Sequence, residues 1–314
     1  MGRRNKGLPI NGWINFNKPE DMTSTQAVGK IRYLLNAKKA GHAGTLDPLA
    51  TGVLPIALGE ATKTIAYAHD ALKEYSFKIL FGQSTSTDDA EGDVTETSDY
   101  RPTLDEINTA LPDFIGHIEQ TPPKFSAIKI NGQRAYDLAR DGKDVELKPR
   151  PAYIKDIKVL DYDGESVTLH VTSGKGVYMR SLGRDIALKC QSVGHLSELR
   201  RLRVGVFDVD DAISLDKCEE LSHNNQLETA LLPLDSVLDD IPALSLKEAE
   251  AVRLKNGNRL SFVSRPDVER IKALDLDIAN QNDPVIALAR FEDLPLGLVQ
   301  IKGIDIQPIK IFNL

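Results

Sequence analysis

Cysteine is scarce in this chain. Its 314 residues include only two, Cys190 and Cys218. They lie too far apart for a metal or redox motif, and such sparing use of thiols predicts a reducing, cytoplasmic compartment. Long apolar runs are missing as well, and none is long enough to span a bilayer. The basic N-terminus MGRRNKGLPINGWINFNKP has no signal-peptide core, and Lys6 breaks the myristoylation pattern. No phosphate-binding loop and no dinucleotide glycine fingerprint occurs. The histidines (His42, His69, His117, His170, His195, His223) never show the H-x-x-x-H spacing of a zinc site. The acids of DDAEGD lack an EF-hand's ladder of ligands, and there is no G-x-S-x-G elbow. These absences predict a catalyst that uses no metal and no organic cofactor.

What is present is an ordinary globular composition, 41% hydrophobic. The length favours two domains, one larger than the other. The net charge of −7 hides an uneven distribution. Residues 1–64 carry nine Lys or Arg against four acids, whereas 208–250 carry twelve acids against Lys217 and Lys247. A basic N-terminal region suits either a solvated helix face or a polyanion partner.

Hydrophobic periodicity predicts a helix over 23–37, capped by Thr23, Ser24 or Thr25, with Val28, Ile31 and Leu35 on one face. EYSFKILF at 74–81 alternates as a strand, with Tyr75, Phe77, Ile79 and Phe81 on one side. A capping box, Thr103 with Glu106, opens a helix over 103–111. SVTLHVT at 166–172 reads as a half-buried strand, and a helix carrying Met179, Leu182 and Ile186 follows it. The acidic 208–250 stretch reads as a linker with short helices. Ser245 and Glu248 form a second capping box, and Gly257 ends that helix. Short strands fill 258–314. The order predicts an α+β protein with a large domain in residues 1–243 and a small, mostly-β unit over 244–314.

With metal and cofactor motifs absent, carboxylates are the remaining candidates. GHAGTLDPLATGVLPI, residues 41–56, isolates Asp47 among small residues. Asp47 precedes a proline, which favours extended backbone, and Gly41, Gly44 and Gly52 permit tight turns or close approach. Two readings stand: Asp47 caps PLATG as a short helix, or it is a nucleophile of the kind that attacks sugar carbons. Arg180 opens a predicted helix, where the macrodipole disfavours a cation; it is read locally either as a surface arginine, which the local sequence favours, or as the partner of an anion.

GHAGTLDPLATGVLPIALGEATK (41–63) resembles the signature of the TruB family, the tRNA pseudouridine-55 synthases. FNKPEDMTS, KEYSFKILFGQSTSTDDAEGD, QTPPKFSAIKINGQRAYDLAR, SGKGVYMRSL and LSELRRLRVGVF follow the family order, so the resemblance covers nearly all of residues 10–207. The tail is similar, more weakly, to the family's PUA-type RNA-binding domain through LKNGNRL and its closing strands. Phe125 stands where the family more often has Tyr, and Val177 and Met179 replace the usual Thr and Ile.

The resemblance implies that the chain isomerises a T-loop uridine of tRNA to pseudouridine after flipping it out of the loop, without cofactor or metal; nothing in the sequence demands more than a cytoplasmic monomer, and no membrane partner is expected. It assigns Asp47 as the nucleophile, Arg180 as its ion partner and Tyr75 as the residue that stacks on the uracil. His42 would fill the space the flipped base leaves, Tyr178 and Leu199 would line the base pocket, and Lys18, followed by Pro19, would support the floor. Lys38, Lys39, Arg200, Arg201 and Arg203 would meet phosphates. The basic 124–150 stretch, with Lys129 and Arg134, would grip the T-loop. A non-catalytic tRNA-binding or tRNA-folding protein is the main alternative. A retaining glycosidase needs a second carboxylate about 5–5.5 Å from the first, and no motif supplies one.

Overall fold

The computed structural model describes residues 7–126, 129–130, 133–134, 147–274 and 283–314. Its larger sheet is built on seven strands, labelled in chain order: β1 Gly12–Lys18, β2 Thr51–Leu58, β3 Lys73–Phe81, β4 Gly116–Gln120, β5 Arg150–Tyr162, β6 Ser166–Ser173 and β7 Gly194–Val204. They lie in the spatial order β1-β2-β7-β3-β6-β5-β4, with short strands Ala40–His42 beside β2 and Phe207–Asp208 beside β7. Every pairing is antiparallel except β2 with β7, where Thr51 and Gly52 run parallel to Arg200 and Arg201. That parallel step joins the segment after Asp47 to the strand bearing the basic cluster.

Strand β3 follows the period-2 rule. Tyr75, Phe77, Ile79 and Phe81 are buried, and the residues between them are partly exposed. Their cross-strand partners continue the apolar face: Phe77 opposes Leu169 on β6 and Leu199 on β7, and Ile79 opposes Val167 and Leu196. Against this face pack three helices, α1 Ser24–Leu34, α2 Leu104–Ala110 and α3 Met179–Lys189, contributing Ile31, Ile107, Met179, Leu182 and Ile186 to one core. On β3 and β6 the opposite face stays partly exposed, as in solvated antiparallel sheets, whereas β1 and β2 are buried on both faces.

Local chemistry explains the helix ends. Thr23 and Gln26 close a capping box at the start of α1, as Thr103 and Glu106 do for α2. Helix α1 stops three residues before the predicted end. Asn36 takes a left-handed conformation, its N–H donates to Tyr33 O, and Ala37 N–H donates to Arg32 O. This is a Schellman ending with Asn at the left-handed position.

Two expectations need correction. The acidic 208–250 stretch is a packed strap rather than a linker: the Trp13 indole N–H donates to Leu234 O at 3.1 Å, and Leu234 and Leu238 join Trp13 and Phe207 in a second core. The second capping box begins at Lys247, whose backbone N–H donates to Glu250 at 2.7 Å. Ser245 is unavailable as a cap because its backbone belongs to the strand Ala243–Ser245. Gly257 does follow the helix Glu248–Lys255 with positive φ.

The C-terminal sheet has five strands, Ala243–Ser245, Val285–Phe291, Leu294–Lys302, Asp305–Ile311 and Leu260–Ser261 in spatial order. It encloses its own core of Leu254, Phe262, Val299 and Ile306, among others. It docks beside β2, where Lys63 donates to Ile311 O at 2.6 Å and Lys310 donates to Lys63 O at 2.8 Å.

Candidate active site

The segment between Ala40–His42 and β2 carries Asp47. The short-helix reading of PLATG fails because Thr51 already starts β2. Residues 43–50 instead form a loop whose backbone is held on both sides of Asp47. The Ser24 hydroxyl donates to Leu46 O at 2.9 Å and accepts from Leu46 N–H at 2.8 Å. Pro48 O accepts from Lys18 Nζ at 3.0 Å and from Asp21 N–H at 3.1 Å. Lys18, fully buried, also donates to Pro19 O and Met22 O at 2.8 and 2.7 Å. It therefore braces the loop from below and offers nothing to a substrate directly. Burial lowers the Lys18 ammonium to about 8, against the opposing pull of Asp47 and Glu91.

The Asp47 side chain is left facing Arg180, whose Nε lies 2.9 Å from Oδ2. The Nε–H is not aimed at that oxygen, so this is an ion pair without a directed hydrogen bond. Arg180 is at the start of α3. Its other nitrogens are directed: Nη1 donates to Thr87 O at 2.8 Å and Nη2 to Phe125 O at 2.9 Å. A second carboxylate, Asp89, lies 3.4 Å from Nη1. Exposure separates the roles. The Arg180 and Asp89 side chains are 6% and 1% exposed, while Asp47 keeps 36% and is open to a ligand.

Sequence reasoning passed over Asp89. It lies in the polar loop after β3, and nothing local distinguishes it from Asp88. Asp88 turns instead to Arg184, one helical turn after Arg180, at 2.9 Å. Arg184 Nη2 and the Ser181 hydroxyl both donate to Thr121 O. The first turns of α3 thus clip together the 85–89 loop and the 121–125 segment. Burial raises Asp88 above the usual carboxylate range, with Arg184 and Arg180 opposing. Burial, then the charges of Asp89 and Asp47, also raise Glu91.

Tyr75 is buried on β3 and stands opposite Arg201 in register. Leu199, two residues before Arg201, is buried on the same face of β7. Tyr178 precedes α3, its backbone N–H donating to Gln120 Oε1 at 2.8 Å while its carbonyl accepts from Gln120 Nε2 at 3.1 Å. His42 is partly exposed at the end of its strand. Burial, with the Arg201 charge behind it, lowers its pKa below the ordinary value.

The expected phosphate contacts divide. Lys38, Lys39 and Arg200 are exposed. Arg203 is exposed but paired with Glu74 and Asp208. Arg201 is a correction: it is 1% exposed, with Nε donating to Val53 O at 2.7 Å and Nη2 to Gly44 O at 3.0 Å. Adjacent residues of a strand point to opposite faces, so RRLR could never present all its arginines together. The bulge between Arg201 and Arg203 returns Arg203 to the outer face. Lys129 and Arg134 occupy paired backbone positions of a small antiparallel hairpin. Their side chains, and the rest of the expected gripping element over 127–146, lie outside the described residues.

Residues 32–179 match the TruB family pseudouridylate synthase N-terminal domain, and residues 180–239 match the tRNA pseudouridylate synthase B C-terminal domain. A tRNA pseudouridine synthase B from Caulobacter vibrioides is 47% identical over 315 aligned residues, covering 100% of each chain. One from Ruegeria pomeroyi is 52% identical over 82% of this chain and 86% of its own. Among solved structures, a Cbf5-Nop10-Gar1 complex matches with a TM-score of 0.69 at 26% identity, over 96% of this chain and 84% of the other.

Proposed function

The chain belongs to the TruB family of pseudouridylate synthases, and from that premise we propose that it isomerises the T-loop uridine at position 55 of tRNA to pseudouridine, with Asp47 as the catalytic nucleophile. The observation that carries this reading is the half-open Asp47 carboxylate, 2.9 Å from a buried Arg180, on a loop whose neighbouring backbone groups are tied down. A carboxylate that must act at a sugar needs to be ionised and aimed, and the guanidinium supplies charge while the loop supplies direction.

The reaction conserves atoms. The C1′–N1 bond breaks, C1′ bonds to C5, C5 releases a proton and N1 gains one. No redox partner or group donor is needed. Tyr75, on the strand beside Arg201, stacks on the uracil, and Tyr178 and Leu199 complete the pocket. The uridine has to leave the T-loop to reach Asp47, and such extrusion costs a few kcal/mol. His42 offsets part of that by stacking in the vacated space, and its lowered pKa favours the neutral ring.

Lys38, Lys39 and Arg200 provide phosphate contacts. Residues 244–314 act as a PUA-like RNA-binding unit, presenting exposed Arg253, Lys255 and Arg259. The enzyme acts as a monomer in the cytoplasm, where tRNA is.

The test uses unmodified tRNA and chemical mapping of pseudouridine. The expected product is one pseudouridine in the T-loop, lost in Asp47→Asn while tRNA binding persists. A folded wild-type protein that leaves the T-loop uridine unchanged would remove the proposal. Modification by Asp47→Asn at a wild-type rate would remove the nucleophile assignment, and binding without modification in the wild type would favour a tRNA-folding role.

A further inference from the structure

We infer that Arg201 is a positioning residue that moulds the Asp47 loop, and that it does not contact RNA; the inference rests on the reading of Asp47 as the catalytic carboxylate. A guanidinium this deeply buried is costly unless its charge and donors are met. Among the described residues no carboxylate forms an ion pair with Arg201. Besides the Tyr75 phenol, its hydrogen-bond acceptors are main-chain carbonyls that bracket Asp47: Gly44 O at 3.0 Å and Thr45 O at 3.4 Å before it, Val53 O at 2.7 Å after it. The side chain is therefore the inner template across which the 44–53 backbone is stretched.

Two glycines record how closely the loop is pressed onto that template. Gly52 has φ +98°, and a Cβ there would lie 2.2 Å from the Arg201 carbonyl oxygen. Gly44 has φ +91°, and its Cβ would come within 3.3 Å of Arg201 Nη1. The first contact follows from the parallel pairing of Gly52 with Arg201, and the second from the guanidinium itself. On its other side Arg201 is the cross-strand partner of Tyr75. One residue thus sets the spacing between the loop that carries the carboxylate and the strand that carries the stacking ring. Arginine is required because a planar fork reaches separate carbonyls at once. A lysine ammonium donates from one point and serves only carbonyls that converge on it, as those around Lys18 do, whereas Val53 O and Gly44 O are met by different nitrogens of Arg201.

Ser24, Lys18 and Asp21 hold the opposite side of the same loop, at Leu46 and Pro48. Asp47 lies between these two sets of anchors, so releasing one set lets its carboxylate swing while Arg180 stays in place.

Arg201→Lys and Gly44→Ala test this. The second keeps the arginine and displaces the loop from it, so it decides the matter should the first fail to fold. For each variant three quantities are measured: the single-turnover rate at saturating tRNA, tRNA affinity across a salt series, and amide exchange over residues 44–50. The expected result is a saturating rate lowered on the order of a hundredfold, as misplacement of a reacting group by about 1 Å can cause, together with faster amide exchange. Affinity stays within about twofold, with an unchanged salt slope. A shallower salt slope with weaker binding and an intact saturating rate would make Arg201 a phosphate contact and overturn the inference. Unchanged rate and exchange would overturn it as well. If wild-type protein forms no pseudouridine, the functional reading falls, and the exchange measurement still decides whether Arg201 moulds the loop.

Discussion

Lys18, Lys73, Arg180 and Arg201 lie buried, whereas Lys38, Lys39, Arg200 and Arg203 stand at the surface of the same unit. The buried cations are enclosed by oxygen. Lys18 meets three carbonyls, Lys73 meets His69 O and Ala71 O at 2.8 Å each, Arg180 meets two carbonyls and two carboxylates, and Arg201 meets carbonyls on both sides of Asp47. Of the exposed cations, Arg203 is held by Glu74 and Asp208, while Lys38, Lys39 and Arg200 have few fixed partners. A buried charge has to be surrounded by oriented dipoles, so it dictates backbone geometry. An exposed charge dictates nothing locally and remains free for a polyanion, with affinity that falls as salt rises. One chemical type thus serves to shape the site from inside and to attract a partner outside.

The sharpest test of that contrast is Arg180→Ala. It leaves Asp89 buried without its cation, so stability should fall by about 3–5 kcal/mol in urea unfolding. The single-turnover rate should fall by roughly 10²–10³-fold. A rate near wild type would show that the buried cations build the fold without serving the chemistry. Next in size is the α3 clip. Arg184→Ala or Asp88→Asn should slow modification about tenfold by loosening the 85–89 loop that Arg180 holds. An equal loss in the two single variants and in their double mutant would identify the pair as the unit responsible.

A smaller effect concerns pH. Burial lowers Lys73 from 10.5 to about 8, with the Arg201 charge adding to it. Between those values the unfolded chain keeps a proton that the folded chain has lost, so folding stability rises with pH across the window, and the desolvation penalty is present in full below it. Lys18 contributes in the same direction over the same window. Lys73→Met should flatten the rise in urea midpoint through this range without abolishing it. An unchanged slope would mean that Lys73 is solvated.

The smallest change is expected outside. Lys38→Ala with Lys39→Ala should weaken tRNA binding a few-fold and make the salt slope shallower by roughly 0.7–0.9 per contact removed. Thermal stability should be unchanged. A drop in stability would place these lysines with the buried set.

Much of the frame could be read along the chain because its signals are local. Alternation at 74–81 places Tyr75 and Phe77 inward, and the Thr103–Glu106 pair opens α2 where a capping box should. Asp47 stood out through its neighbours, and Arg180 through the conflict between a cation and a helix start. Other parts were not legible. Asp88 and Asp89 are adjacent acids in a polar loop, and only the position of α3 sends one to Arg184 and the other to Arg180. The 208–250 strap looked like a linker because its twelve acids face only two lysines, while the residues that anchor it, Leu234 and Leu238, pack around Trp13 from more than two hundred residues earlier.

By itself the sequence determined the alternation of β3 and β6, the caps at Thr23 and Thr103, the family motifs and the lone carboxylate, since these depend on residues within one or two turns of one another. Tertiary structure alone decided which charges became interior. Arg200 and Arg201 are chemically identical neighbours, and their fates diverge because the parallel step between β2 and β7 lays the Asp47 loop across one face of that strand and leaves the other to solvent. Burial is a property of what lies opposite a side chain, and a chain read in order does not record what lies opposite.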